Sequence, residues 1–148
     1  MATPYQDIFG RALFRLSDTK LAQLHCFDQQ TILSKYMKSA IADFQNKCEI
    51  DLSNRNEEEE IFNEDIPEEV QEILALGISY YWLSAQVLNN ELLKNKLSTK
   101  DYTYFSPANL LRESTALRKE VQTEYKHRII NYTYDHGNLS MDASEVLR

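Results

Sequence analysis

Apolar residues recur at spacings of three and four along most of the chain, and the breaks in that spacing divide it into four predicted helices. The first carries Tyr5, Ile8, Phe9, Ala12, Leu13 and Leu16, with Thr3 expected as N-cap, Pro4 at the first helical position and Gln6 completing a capping box. Ser17-Asp18 should close it, and a short turn with Leu21 and Leu24 follows. The second helix is expected after an Asp28 N-cap. Ile32, Leu33, Tyr36, Met37, Ala40, Ile41, Phe44 and Cys48 line one face of it, and Lys35, Lys38, Asp43 and Lys47 line the other. The third helix begins near Pro67, with Glu68, Glu69 and Glu72 placed at its positive end. Val70, Ile73, Leu74, Gly77, Ile78, Tyr81, Trp82 and Leu83 make it apolar around most of its circumference, and Val87, Leu88, Leu92 and Leu93 extend it. Such a helix is central to its own fold or buried against another chain. Gly77 costs about 1 kcal/mol relative to Ala inside a helix, which points to a close approach at that position. Ser106-Pro107 opens the fourth helix, whose stripe is Leu110, Leu111, Leu117, Val121, Tyr125, Ile129 and Tyr132. It should end between Tyr132 and Asp135, with Gly137 suited to the stop.

Two polar connections separate these elements. The run from Glu49 to Ile66 contains Glu57, Glu58, Glu59 and Glu60 in succession, and like-charge repulsion predicts an open acidic loop, with Ile61 and Phe62 available to pin its middle. The run from Leu97 to Phe105 offers a short extended piece at Tyr102 and Tyr104. Beyond the fourth helix, Leu139, Met141, Val146 and Leu147 are scattered among polar residues and cannot form a core by themselves. They predict a segment that stays disordered or orders on a partner.

Composition narrows the fold class. Three Gly and three Pro in 148 residues are too few for the turns of a sandwich or barrel, so the fold is expected to be all-α. It should be a compact bundle of about four helices with a long acidic inter-helix loop and an extended C-terminal arm. Residues 1–134 would form the helical domain and 135–148 the arm. A net charge of −7 argues against a basic surface that holds nucleic acid. Asp7 and Arg11 interrupt any signal-peptide run, and no apolar stretch reaches the roughly 18 residues of a membrane span. Synthesis in the cytoplasm, with no membrane contact, is the expectation. Cys26 and Cys48 lack CxxC spacing and read as buried thiols. The sequons at Asn131 and Asn138 are then chance matches.

Reactive constellations are not evident. His25, His127 and His136 lie far apart, outside any HExxH or Cys-paired pattern, and there is no phosphate-binding Gly loop or GxSxG elbow. No catalytic, cofactor-binding or metal-binding residues are assigned, and the chain is expected to be a non-enzymatic protein that binds its neighbours. The acidic run Glu57 to Glu60 reads first as a solvated surface and second as an electrostatic device. Tyr80, Tyr81 and Trp82 cannot all face one way on a helix, so at least one is expected to look away from the monomer core. The three are assigned to a subunit interface, where Tyr and Trp are enriched. A helical binding module or regulatory protein acting through the apolar third helix is the alternative.

Several stretches resemble the head–tail connector (adaptor, or head-completion) proteins of long-tailed bacteriophages. They are Glu72-Ile73-Leu74-Ala75-Leu76-Gly77 with Trp82-Leu83, Lys96-Leu97-Ser98-Thr99-Lys100-Asp101-Tyr102, Ser106-Pro107-Ala108-Asn109 and Asn131-Tyr132-Thr133-Tyr134. Ser114-Thr115 departs from the pattern, standing where a longer side chain is expected. The resemblance implies a virion protein of the phage neck, in which roughly twelve identical copies close into a ring under the portal through head-to-tail contacts. Such a ring extends the DNA channel, lets DNA pass without binding it specifically, and offers a platform to a stopper or other tail-completion protein. By the same resemblance the portal-docking arm would span Asn131 to Arg148 and include Asn131, Tyr132, Tyr134, Leu139, Met141, Val146 and Leu147. The acidic residues Glu57 to Glu60 would face the channel or nearby solvent.

Overall fold

In a computed structural model the described residues are 2–16, 26–96 and 107–136. Helix α3 (Glu68–Lys96) is the axis of the bundle. Its first turn carries Glu68 and Glu69 at the positive end of the helix dipole, and the Gln71 amide donates to the Pro67 carbonyl at 3.0 Å, so the helix starts where Pro67 predicts. Val70, Ile73, Leu74, Ala75, Leu76, Ile78, Ser79, Trp82, Leu83 and Val87 are all buried, which no single stripe can achieve. Three helices take up that circumference: α1 (Tyr5–Arg15), α2 (Cys26–Phe44) and α4 (Pro107–His136) each pack on α3, while α1 and α2 touch each other little. The fold is a mostly α bundle of four helices among the described residues. No helix among them is long and apolar enough to cross a membrane.

The faces offered to α3 follow the sequence periodicity. Tyr5, Ile8, Phe9 and Ala12 from α1, and Leu33, Met37, Ala40, Ile41 and Phe44 from α2, are buried. Each large side chain of this kind contributes about 1.5–3 kcal/mol on leaving water. From α4 come Tyr125, Ile129 and Tyr132, with Val121 at the margin. Leu117 is 44% exposed, so among the described residues the predicted stripe of α4 is buried from Tyr125 onward. The side chains of Leu92, Leu93, Leu110 and Leu111, the turn expected after Ser17-Asp18 and the connection expected from Leu97 to Phe105 lie outside the described residues. At Gly77 the close approach is real. A Cβ there would sit 2.4 Å from the Ala40 Cβ and 3.0 Å from the Tyr125 hydroxyl, so α2, α3 and α4 converge on a residue with no side chain.

Two expectations about helix starts need correction. Asp28 lies in the first turn of α2, which begins at Cys26. Thr3 does not cap α1: Pro4 is the N-cap residue, in extended conformation and with no side-chain cap bond. The Thr3 hydroxyl is spent elsewhere. It accepts from the Ile66 amide at 2.8 Å and donates to the Glu64 carbonyl at 3.2 Å, where it is buried against the entry to α3. A hydroxyl both donates and accepts, so one Thr can serve two backbone groups of a distant loop.

The acidic connection is folded, which departs from the open loop that charge repulsion predicts. Strands β1 (Thr3–Pro4), β2 (Arg55–Asn56) and β3 (Ile61–Phe62) form an antiparallel sheet in the order β1-β3-β2, with Thr3 opposite Phe62 and Arg55 opposite Phe62 on its other edge. Glu57 to Glu60 are the tip of the β2–β3 hairpin. Asn56 Oδ1 accepts from the amides of Glu58 (3.0 Å) and Glu59 (3.2 Å), and Glu60 closes the turn at φ 55°. Leu52, Phe62 and Ile66 are buried beneath the hairpin. The Gln45 side chain bridges the Ile50 carbonyl and the Leu52 amide, at 3.1 and 2.8 Å. Apolar anchors and satisfied backbone groups outweigh repulsion between carboxylates that remain in water.

Candidate functional site

One end of the bundle gathers the sheet, the start of α3 and the last turn of α4. Residues 49–69 hold ten carboxylates and a single base, Arg55, a net of −9 in a chain of net −7, so the rest of the molecule is slightly positive at +2. Glu57, Glu58 and Glu59 are exposed and Glu60 is half-buried. Glu57 is held by Lys38 of α2 at 3.3 Å and Arg55 at 3.5 Å, and Lys38 foremost keeps its carboxyl below the usual carboxylate range. The hairpin tip is therefore fixed to α2 while its neighbouring acids stay in solvent.

The aromatic run on α3 divides. Trp82 is only 7% exposed and belongs to the core, so it is unavailable as an interface residue; its place on the helix turns it inward between partners already packed on α3. Tyr80 and Tyr81 keep a half-exposed edge, and both are engaged within the chain. The Tyr81 hydroxyl makes a short hydrogen bond to Asp43 Oδ2, and the Tyr125 hydroxyl donates to the same oxygen at 3.2 Å. Tyr36 stacks on Tyr81 at 6.4 Å, and the Arg118 guanidinium lies 5.5 Å over the Tyr80 ring while its Nε donates to Ser84 at 2.9 Å. Burial, and then the Asp43 charge, push both the Tyr81 and Tyr125 phenols well above their ordinary range. Locked in the neutral form, they act as donors that brace α2, α3 and α4 and not as tyrosinate nucleophiles or bases.

The last turn of α4 corrects the arm. Tyr132 is 2% exposed, lies edge-on to Phe44 at 5.0 Å, and its hydroxyl accepts from the Glu49 amide at 3.2 Å. It is a core residue, the last on the apolar stripe of α4, and so does not belong to the docking arm that the resemblance started at Asn131. Asn131 and Tyr134 are exposed on the outer side of the same helix, which continues through His136. Leu139, Met141, Val146 and Leu147 lie outside the described residues. Cys48 is half-buried, 3.8 Å from the Tyr132 hydroxyl, and burial raises its thiol above the usual range, away from a reactive thiolate. The side chain of Cys26 is not among those described.

Two polar arrangements were not signalled by any motif. Arg11 and Arg15 of α1 grip Glu72 of α3 at 2.6 and 2.9 Å, and Arg15 reaches Glu124 of α4 at 3.6 Å, itself paired with Arg128 at 3.4 Å. Burial opposes the charge on Glu72, but Arg15 and Arg11 overcome it and hold the carboxyl below its usual range. Alternating charges on predicted polar faces are the only sequence sign of this chain of ion pairs. The other is the pairing of His136 with Glu69 and Glu49. Among the described residues no three His, Cys, Asp or Glu side chains converge as metal ligands, and the main concavities are open polar grooves such as that between Glu69, Glu124, His127 and Asn131. No family model matches this chain, and no curated protein or solved structure matches it either.

Proposed function

We propose that the protein is a non-enzymatic structural part of a tailed-phage neck, a head–tail connector that forms a ring of identical copies beneath the portal and receives a stopper or other tail-completion protein. The observation that carries this reading is the segregation of charge: −9 lies within residues 49–69, at one end of a braced bundle, in a segment that includes the hairpin and is anchored by Leu52, Phe62 and Ile66. Carboxylates held in this way along a channel repel the phosphates of passing DNA and let it slide without sticking. The last turn of α4 reaches the same end, through His136 and Glu69, which supports reading that end as the portal-facing one. A regulatory module that grips its partner through α3 is less well supported, since α1, α2 and α4 already occupy that helix.

The test is electron microscopy and light scattering of the chain mixed with the portal protein of the same virus. The full chain is expected to cap the portal with a ring of its own copies, and a version ending at His136 is expected to keep its helical circular dichroism but lose the portal. A full chain that ignores the portal, or a purified protein with measurable turnover, overturns the proposal.

A further inference from the structure

We infer that the last turn of α4 is a pH-operated latch, closed when a charged His136 grips Glu69 of α3 and Glu49 of the α2–β2 connection. The inference is independent of the neck assignment and rests on the geometry of one imidazole. Nε2 of His136 lies 3.0 Å from Glu69 Oε2, and Nδ1 lies 3.6 Å from Glu49 Oε2. A neutral imidazole has one N–H and one lone pair, so it can satisfy one of these carboxylates only by turning a lone pair toward the other. Only the imidazolium presents a proton to both. The ring stacks on Tyr132 at 4.3 Å, which fixes its plane between the two acids.

The helix ends favour the same state. His136 stands at the negative end of the α4 dipole, and Glu69 lies in the first turn of α3, at that helix's positive end. The charged groups acting on His136 are Glu69, Glu49 and the adjacent Asp135, all anionic, and Glu69 foremost raises its pKa above the ordinary value. The sign follows from that direction. The latch is fully closed below the unfolded-state value of about 6.5 and opens as pH rises through the higher folded value. Tyr132 is buried against Phe44 independently of the imidazole, so opening is expected to free only Thr133 to His136.

Proton NMR of the His136 ring and amide hydrogen exchange, corrected for the intrinsic pH dependence of exchange, test this on the full chain. The His136 midpoint is expected above about 6.5 and should shift downward in Glu69→Gln and in Glu49→Gln. Protection of residues 133–136 should be lost between the acid and alkaline sides of that midpoint, be low throughout in His136→Ala, and be kept at all pH in His136→Arg. A His136 midpoint at the ordinary value, or protection that does not depend on pH in the wild-type chain, overturns the latch.

Discussion

At the scale of single residues, Gly77 shows how the absence of a side chain sets the architecture. Adding a methyl group gains about 1 kcal/mol of helix propensity. That methyl would lie 2.4 Å from the Ala40 Cβ, which cannot rotate away as the end of a longer side chain would. Overpacking of this kind costs roughly 1–3 kcal/mol, so Gly77→Ala is expected to destabilise the fold by about 1 kcal/mol net. Ala40→Gly in the same chain should make the second methyl tolerable, giving a favourable coupling energy in urea unfolding of the four-member cycle. Gly77 was legible because a glycine in the middle of an apolar helix weakens that helix unless a neighbour needs the space. Thr3 was misread for the opposite reason. Its position before Pro4 matches the local capping signal, and nothing near it in sequence reveals that the amide it serves belongs to Ile66.

Among the elements, the helices were legible and the hairpin was not. Periodicity over eleven or more residues reports a buried face directly, as in α1 and α2. Strands of two residues carry no period at all, and four successive glutamates read as a solvated run; only the pair Ile61-Phe62, expected to pin the middle of the loop, hinted that it is held. Asp43 was placed correctly on the polar side of α2, yet its role depends on Tyr81 and Tyr125 arriving from two other helices, 38 and 82 residues away. The hairpin carries its own testable strain. Glu60 adopts φ 55°, a region that costs an L-residue roughly 1–2 kcal/mol, part of which glycine repays through its freer unfolded chain. Glu60→Gly is therefore expected to raise stability by up to about 1 kcal/mol and Glu60→Val to lower it, as read from thermal melts.

For the molecule as a whole, four phenols on three helices report the same packing. Tyr5, Tyr81, Tyr125 and Tyr132 are all raised by burial, Tyr132 to about 12. A folded-state value above the unfolded one means that their contribution is complete below about 10 and is lost as pH climbs through the raised values. Between about 10 and about 12 the fold should weaken, and the tyrosinate absorbance of these four should rise together with the loss of helical circular dichroism. Ionisation of these four while the helices persist, resolved from the exposed tyrosines by their Tyr→Phe variants, would contradict the packing described for α3.

The lopsided charge also governs how two such molecules meet. Standing shoulder to shoulder in the same orientation, they bring their acidic ends toward each other, and in 0.1 M salt charges still feel each other over about 10 Å. The crowding must be relieved by condensed cations, so side-by-side company is dear in dilute buffer and grows easier as electrolyte is added. A pair that meets tip to tip suffers most. The acidic segment 49–69 thus gives an otherwise nearly balanced body a compass needle, and with it a preferred direction of approach to whatever carries the opposite sign.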